Sequence, residues 1–365
     1  MAADFYPYRP DYAVPPGETL RDTLEALDMT QADLARRTGL STKHINQLVR
    51  GVVALTPDTA LALEHVTGVP ARLWNSLEAN YRQREVRIKL ATPSTDDIAW
   101  LRALPIKALV DRGALPRETD QTSRLESVLA FFGVASRQAW ESVWLAPDAV
   151  FRRSKVFESE PMATASWLRL GEIEAAQIKT GPFDRAKFRA GLDAVRAAMR
   201  KHPDHSLVEA REVCREAGVA FVVVPEITGS RASGAARWLT PTKALIQVSL
   251  RYGWEDSFWF SFFHEAGHVL YHGKRLAFVD DRDIDSNQEQ EADAFAGNLL
   301  IPTRYDVDLA RIATLAEVQA FARRIQVPPG IVVGRLQRDG KLGRDVGNRL
   351  RHRLRVRADG GIERV

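Results

Sequence analysis

The sequence has few of the features that mark secreted or membrane proteins. It contains a single cysteine, Cys214, so no disulfide can form within the chain, and such cysteine usage is typical of a reducing compartment. The first ten residues contain no apolar segment of the kind found in signal peptides. No apolar run approaches the ~20 residues that a membrane-spanning helix needs. We therefore expect a cytoplasmic protein with no membrane partner.

The length and composition indicate a globular protein of several domains. With 365 residues and about 100–200 residues per domain, two or three domains are expected. The basic excess is uneven, because residues from Arg335 to the end contain nine Arg and one Lys against three Asp and one Glu, a net charge of +6 beside +4 for the whole chain. A basic tail over residues 341–365 is typical of nucleic-acid binding or of a solvated, partly disordered extension.

The pattern along the chain predicts a multidomain, mainly α protein with an α+β part. Residues 12–90 have the spacing of a small helical domain, and residues 97–205 have helical composition without strand-like alternation, as in a connector or scaffold. From residue 206 to 340 strands precede helices, which predicts an α+β domain. The predicted strands cover about residues 219–224, 235–239 and 244–250, and the predicted helices cover about residues 256–272 and 287–300.

The clearest chemical motif is His264-Glu265-Ala266-Gly267-His268. Histidines four residues apart share one face of a helix, with Cα atoms about 6 Å apart along its axis, so both imidazoles can reach one ion. Glu265 follows the first histidine and lies on a neighbouring face, where it can take a proton from a metal-bound water. Catalytic zinc sites use three protein ligands and keep one position open. The motif therefore predicts a zinc hydrolase and supplies two of the three protein ligands.

The third ligand has to come from outside this motif. His272 continues the four-residue step, but it lies about 12 Å along the helix from His264 and is better interpreted as a supporting or packing residue. The next helix contains Glu289, Glu291 and Asp293. Glu291 shares a helical face with Phe295 and is the predicted third ligand if Phe295 packs inward, with Glu289 as the alternative. Asp293 is predicted to orient a ligand histidine.

Two segments together resemble the ImmA/IrrE family of bacterial metallopeptidases over about residues 210–340. They are His264 to His272, and Glu289 to Ala296 followed by Leu299-Leu300-Ile301-Pro302. The resemblance implies a zincin-like fold, a bound zinc ion and regulated cleavage of a repressor-type protein. It also implies that His264, His268 and Glu291 are the ligands and that Glu265 is the base.

Residues 30–50 have the pattern of a helix-turn-helix. Two predicted helices, Gln31–Thr38 and Thr42–Val49, flank a turn at Gly39. The apolar residues Leu34, Ile45 and Leu48 would form the contacts between them. The polar residues of the second helix then face outward, as base-reading and phosphate-binding residues do in the major groove. The predicted DNA contacts are Gln31, Thr42, Lys43, Asn46 and Gln47.

Three segments resemble a HigA-type antitoxin repressor of the Xre class over about residues 12–88. They are Pro16 to Asp22, Thr30 to Ala35 and Leu73 to Tyr81. The resemblance implies a repressor-like helical domain that dimerises on an inverted repeat in double-stranded DNA.

Two functional interpretations of the whole chain follow. In the first, a regulated, low-turnover zinc endopeptidase, fused to a DNA-binding regulator, cleaves a specific regulatory protein, either a repressor or the chain itself. In the second, a repressor or antitoxin-like protein uses its metal domain to sense a signal without cleaving. The presence of Glu265 favours the enzyme, because a sensor needs the histidines but not the base.

Overall fold

The computed structural model describes residues 12–90, 93–145, 160–272, 282–357 and 361–365. The chain divides between Asp96 and Asp97 into two compact units. The predicted connector and the predicted peptidase domain lie in the same unit, so the structure does not separate them near residue 205. No helix in the described parts of the chain combines the length and apolar character needed to cross a bilayer.

The first unit is helical throughout its described secondary structure. Its helices are α1 (Pro16–Ala26), α2 (Gln31–Thr38), α3 (Thr42–Val49), α4 (Pro57–Thr67) and α5 (Ala71–Leu90). Leu34, Ile45 and Trp74 are completely buried in its core. The mainly α fold predicted for this region is confirmed.

The helix-turn-helix bend follows from its capping residues. The Thr30 side chain accepts a hydrogen bond from the Asp33 backbone N–H at the start of α2, and Ser41 accepts one from the His44 N–H at the start of α3. Between them Gly39 adopts φ +74°, a left-handed conformation that glycine tolerates best. Both helices therefore begin and end at the residues predicted from the sequence.

The second unit places helices before and after a small sheet. The helices before it are α6 (Thr95–Ala103), α7 (Ile106–Asp111), α8 (Gln121–Phe132), α9 (Arg137–Trp140), α10 (Pro161–Gln177), α11 (Arg185–Ala198) and α12 (Pro203–Glu216). Those after it are α13 (Glu255–Tyr271), α14 (Arg282–Leu300), α15 (Asp306–Ala310), α16 (Leu315–Ile325) and α17 (Pro329–Arg338). Short turns of other helical types occupy Glu141–Leu145, Thr303–Tyr305 and Asn348–Leu350.

Three strands form the sheet of this unit. They are β1 (Val219–Val223), β2 (Gly234–Thr240) and β3 (Lys243–Val248), in the spatial order β1-β3-β2. Strand β3 pairs in parallel with β1 and antiparallel with β2, where Gly234 lies opposite Val248. Strand β2 is therefore an edge strand among the described residues.

The sheet is covered on both faces, which explains what residues 97–205 do. In β1, Phe221 belongs to the core shared with α11, α12 and α13, here called the α13-side core. Its neighbours Ala220 and Val222 belong to the core shared with α8 and α10, the α10-side core. Because successive strand residues point to opposite faces, α8 and α10 of the predicted connector bury one face of the strands, while α11 shares the burial of the other face with α12 and α13.

The basic C-terminal segment is folded. Strands β4 (Leu354–Val356) and β5 (Ile362–Arg364) form an antiparallel hairpin, and Leu354 and Ile362 are buried in the α13-side core. The positive charges face acids, since Arg364 pairs with Glu255 at 2.8 Å. Within its described residues this segment is packed structure rather than the solvated extension that its composition allowed.

The pair formed by Arg351 and Asp256 joins this segment to the start of α13. Arg351 donates two hydrogen bonds to the Asp256 carboxylate, of 2.9 and 2.8 Å, and both side chains are at most 10% exposed. Burial raises the pKa of Asp256, although the hydrogen bonds from Arg351 act in the opposite direction. The charge of Asp256 therefore depends on Arg351.

We predict that Arg351→Ala destabilises the second unit by about 3 kcal/mol, because a buried carboxylate loses its partner. The matched control is Arg355→Ala, which breaks an exposed pair with Glu363 and should cost less than about 1 kcal/mol. Calorimetric melting of the full chain measures both. Equal shifts for the two variants would contradict a special role for the buried pair.

Candidate metal centre and nucleic-acid interface

Helix α13 holds the two motif histidines firmly because its other faces are buried. Phe262 and Phe263 are completely buried, and Val269 is nearly so. On the remaining face the Nε2 atoms of His264 and His268 lie 3.0 Å apart, with ring centroids separated by 4.7 Å. The four-residue spacing thus directs two imidazole nitrogens toward one point.

Glu289 of α14 completes this group. Its carboxylate oxygens lie 3.1 Å from His264 Nε2 and 3.3 Å from His268 Nε2. One ligand atom from each of the three residues lies within 4.8 Å of the others. Two imidazoles and one carboxylate form a donor set that suits catalytic zinc, so these side chains fit the metal that the motif predicts.

Glu291, the third ligand predicted from the sequence, is not brought to this point. Its side chain is 66% exposed, and its Oε2 lies 3.1 Å from Nε2 of His272 instead. The prediction assumed that Phe295 packs inward. Phe295 does pack against the core, beside Tyr271 and Gly267, but Glu291, four residues before it, lies beside His272. The geometry therefore places Glu289, the alternative, where Glu291 was expected.

The inward face of α14 is set by small residues. A Cβ added at Gly267 of α13 would lie 3.2 Å from Cα of Ala292, so the two helices approach closely there. Ala292 and Ala296 are completely buried. Glu289 precedes Ala292 by three residues and therefore shares its face. The contact between Gly267 and Ala292 exists only in the folded chain, so the sequence offers no signal that separates Glu289 from Glu291.

Asp293 lies beside the other nitrogen of His264. Its Oδ1 is 2.8 Å from His264 Nδ1, the arrangement expected of an acid that orients a metal-binding histidine. Burial lowers the pKa of His264, but hydrogen bonds with Asp293 and Glu289 outweigh it and raise the pKa to about 10. Burial alone would raise the pKa of Glu289, yet its hydrogen bonds with both histidines hold it well below its usual range. Glu289 is therefore ionised, as a ligand must be.

Glu265 lies against the edge strand. It is 7% exposed, and a Cβ added at Gly234 of β2 would lie 2.6 Å from its Oε1. The backbone of β2 can approach the carboxylate this closely only because residue 234 has no side chain. Gly234 could not be predicted from the sequence, since only the tertiary structure brings β2 next to α13.

The predicted DNA contacts lie on the surface of the helix-turn-helix. Thr42 and Lys43 are exposed, while Gln31, Asn46 and Gln47 are partly exposed. Ile45 and Leu48 point into the core. The predicted contacts on α3 therefore lie on its solvent-facing side, away from these apolar residues.

Two family matches cover separate parts of the chain. Residues 20–74 match the helix-turn-helix family, and residues 235–337 match the IrrE N-terminal-like domain. The first match spans α2 and α3, and the second spans α13 and α14.

Similar proteins match the N-terminal region. An uncharacterised helix-turn-helix-type transcriptional regulator of Escherichia coli (strain K12), YddM, is 27% identical over 89 residues, which are 24% of this chain and 88% of that protein. A HigA-family addiction module antidote protein from Coxiella burnetii is 29% identical and aligns over 21% of this chain and 85% of its own, with a TM-score of 0.21. Pseudomonas aeruginosa antitoxin HigA, solved with the higBA promoter, is 30% identical over 20% of this chain and 83% of its own, with a TM-score of 0.20.

The matched segments coincide with the two sites described above. The polar surface of α3 lies within residues 20–74, and the two motif histidines, Glu265 and Glu289 lie within residues 235–337. The chain is therefore a fusion of an N-terminal helix-turn-helix module of transcription regulators with a C-terminal peptidase domain of the IrrE type.

Proposed function

We propose that this protein is a DNA-binding regulator whose second unit is a zinc-dependent endopeptidase acting on a specific regulatory protein in the cytoplasm. The observation that carries the proposal is the convergence of His264, His268 and Glu289, with the buried Glu265 carboxylate close enough to His264 to interact with it electrostatically. The histidines alone would serve a metal sensor. The additional carboxylate, held next to the same point, favours hydrolysis.

His264, His268 and Glu289 would hold the zinc ion, which when bound lowers the pKa of a coordinated water and polarises a peptide carbonyl. With zinc bound, Asp293 would hold the one remaining His264 proton on Nδ1, opposite the Nε2 that binds the ion. Glu265 accepts the water proton on a carboxylate oxygen and delivers it to the leaving amine. Because Glu265 is only 7% exposed, few competing water molecules can reach that proton.

Strand β2 is the proposed docking edge for the substrate. It pairs with β3 on one side and is the edge of the described sheet, so an extended peptide can add to its other side by backbone hydrogen bonds. Gly234 stands at the end of β2 that contacts Glu265. A peptide bound along residues 235–239 would therefore run toward the proposed base.

We predict that the purified protein holds one zinc ion per chain. His264→Ala and Glu289→Ala should empty the site, because two ligands rarely hold zinc in a catalytic geometry. Glu291→Ala should still bind one zinc ion, since Glu291 lies beside His272. Metal analysis after gel filtration measures all three. Loss of zinc in Glu291→Ala with full occupancy in Glu289→Ala would restore Glu291 as the ligand.

Glu265→Gln tests cleavage separately from metal binding. The amide has nearly the same shape but cannot accept the proton, so cleavage should fall by about 10²–10⁴-fold while zinc content and melting temperature stay unchanged. New protein termini in cells expressing the wild type and the variant identify the substrate, with and without DNA damage or metal stress. Identical termini under every stress would favour the metal-sensing repressor over the enzyme.

The first unit is proposed to bind double-stranded operator DNA as a dimer on an inverted repeat. The family match and the polar surface of α3 support this role. Phosphate contacts position such a domain, and base contacts give specificity. Asn46 is a side chain suited to reading a base edge, while Lys43 is suited to a phosphate.

We predict that Asn46→Ala in the full chain weakens binding to its own promoter DNA by about 1–3 kcal/mol, and relaxes specificity. Lys43→Ala should weaken all sequences alike and lower the salt slope by about one. The control is Asn80→Ala, the same substitution on an exposed part of α5, which should change neither quantity. Binding titrations at several salt concentrations measure these effects, and an equal loss in Asn80→Ala would contradict the assignment.

A further inference from the structure

His272 and Glu291 form a chain of contacts behind His268. Nδ1 of His272 lies 2.7 Å from Nδ1 of His268, and its Nε2 lies 3.1 Å from Oε2 of Glu291. The His272 side chain is only 6% exposed. The opposite nitrogen of His268, Nε2, faces His264 and Glu289. His268 thus stands between the candidate metal position and this chain.

The donors and acceptors of these three residues fix the direction in which the hydrogen bonds between them run. An ionised carboxylate only accepts hydrogen bonds, and a neutral imidazole has one N–H donor and one acceptor nitrogen. Glu291 therefore requires the His272 proton on Nε2, which leaves Nδ1 of His272 as an acceptor. His268 must then donate from its own Nδ1, and with a metal ion between its Nε2 and Glu289 the Nε2 lone pair would bind that ion.

The candidate metal position imposes the same requirement from the other end. A histidine that binds zinc through Nε2 keeps its proton on Nδ1 and needs an acceptor there. Nδ1 of His272, at 2.7 Å, is placed to accept it. For His264 one residue does this, since Asp293 contacts Nδ1 directly. For His268 the carboxylate is that of Glu291, and the imidazole of His272 lies between the two.

We propose that Glu291 and His272 are positioning residues that fix His268 in the tautomer able to bind zinc. This deepens the proposed function and rests on it. Glu291 fixes the proton of His272 on Nε2. His272, which is buried, then accepts a hydrogen bond from Nδ1 of His268. The same helix α14 thereby serves both histidines, through Asp293 for one and through Glu291 for the other.

The test is a zinc titration of the full-length protein against a chromophoric chelator. Substitution of a residue that orients a metal ligand typically weakens metal binding by 10–100-fold. Glu291→Gln replaces an acceptor-only carboxylate with an amide that can also donate, so it no longer fixes the His272 proton on Nε2. It should weaken zinc binding by about 10-fold, and His272→Phe by about 10–100-fold. Because the two residues act in series, the double variant should bind zinc no more weakly than His272→Phe alone.

A conservative variant separates positioning from packing. In His272→Asn the amide oxygen takes the place of Nδ1 and accepts directly from His268, so zinc affinity should return to within a few-fold of the wild type. Glu291→Gln should then have no further effect in this background. The charge control is Asp193→Asn, which removes an acid that is 68% exposed on the neighbouring helix α11 and should leave zinc affinity unchanged.

The visible spectrum of the cobalt-substituted protein distinguishes positioning residues from ligands. Glu291→Gln should keep the wild-type band shape, whereas Glu289→Gln should alter it because a ligand changes. Unchanged zinc affinity in both Glu291→Gln and His272→Phe would overturn the inference, as would additive losses in the double variant. If the wild type itself bound no zinc, the proposed function would fail and the inference with it, so the two failures are distinguishable.

Discussion

The close packing of α13 against α14 determines the chemistry of the second unit. Gly267 and Ala292 let the helices approach until a Cβ on the glycine would be 3.2 Å from the alanine Cα. That approach brings Glu289 and Asp293 onto the histidine face of α13. A larger side chain at either contact would separate the helices, and no single ion could then reach His264, His268 and Glu289 together.

The packing of the sheet places the remaining parts of the site. Helices from residues 97–205 cover one face of the sheet in the α10-side core, while α13 covers the other. Arg237 of β2 pairs with Glu172 of α10 at 2.8 Å, so the edge strand is held from the side opposite the site. Strand β2 is thereby kept in register beside Glu265, and a region without recognisable motifs becomes part of the peptidase scaffold.

Charge is distributed in the structure differently from its distribution along the chain. Part of the arginine excess after residue 335 pairs with acids far away in sequence, namely Asp204, Asp256 and Glu255. A composition count sees only neighbours along the chain, whereas Coulomb interactions depend on distance in space. The C-terminal segment consequently closes the α13-side core and does not form a free cationic arm among the described residues.

Features that depend on local spacing could be predicted from the sequence. Capping residues and Gly39 marked both helices of the helix-turn-helix, and the four-residue step identified His264 and His268, because helix geometry is a property of a short segment. The tertiary structure alone decided between Glu289 and Glu291, which differ by two residues on one helix. That choice depends on which face of α14 meets α13, and the deciding residues, Gly267 and Ala292, come together only when both helices pack. For the same reason, the approach of Gly234 to Glu265 and the contact between His268 and His272 could be read only from the folded chain.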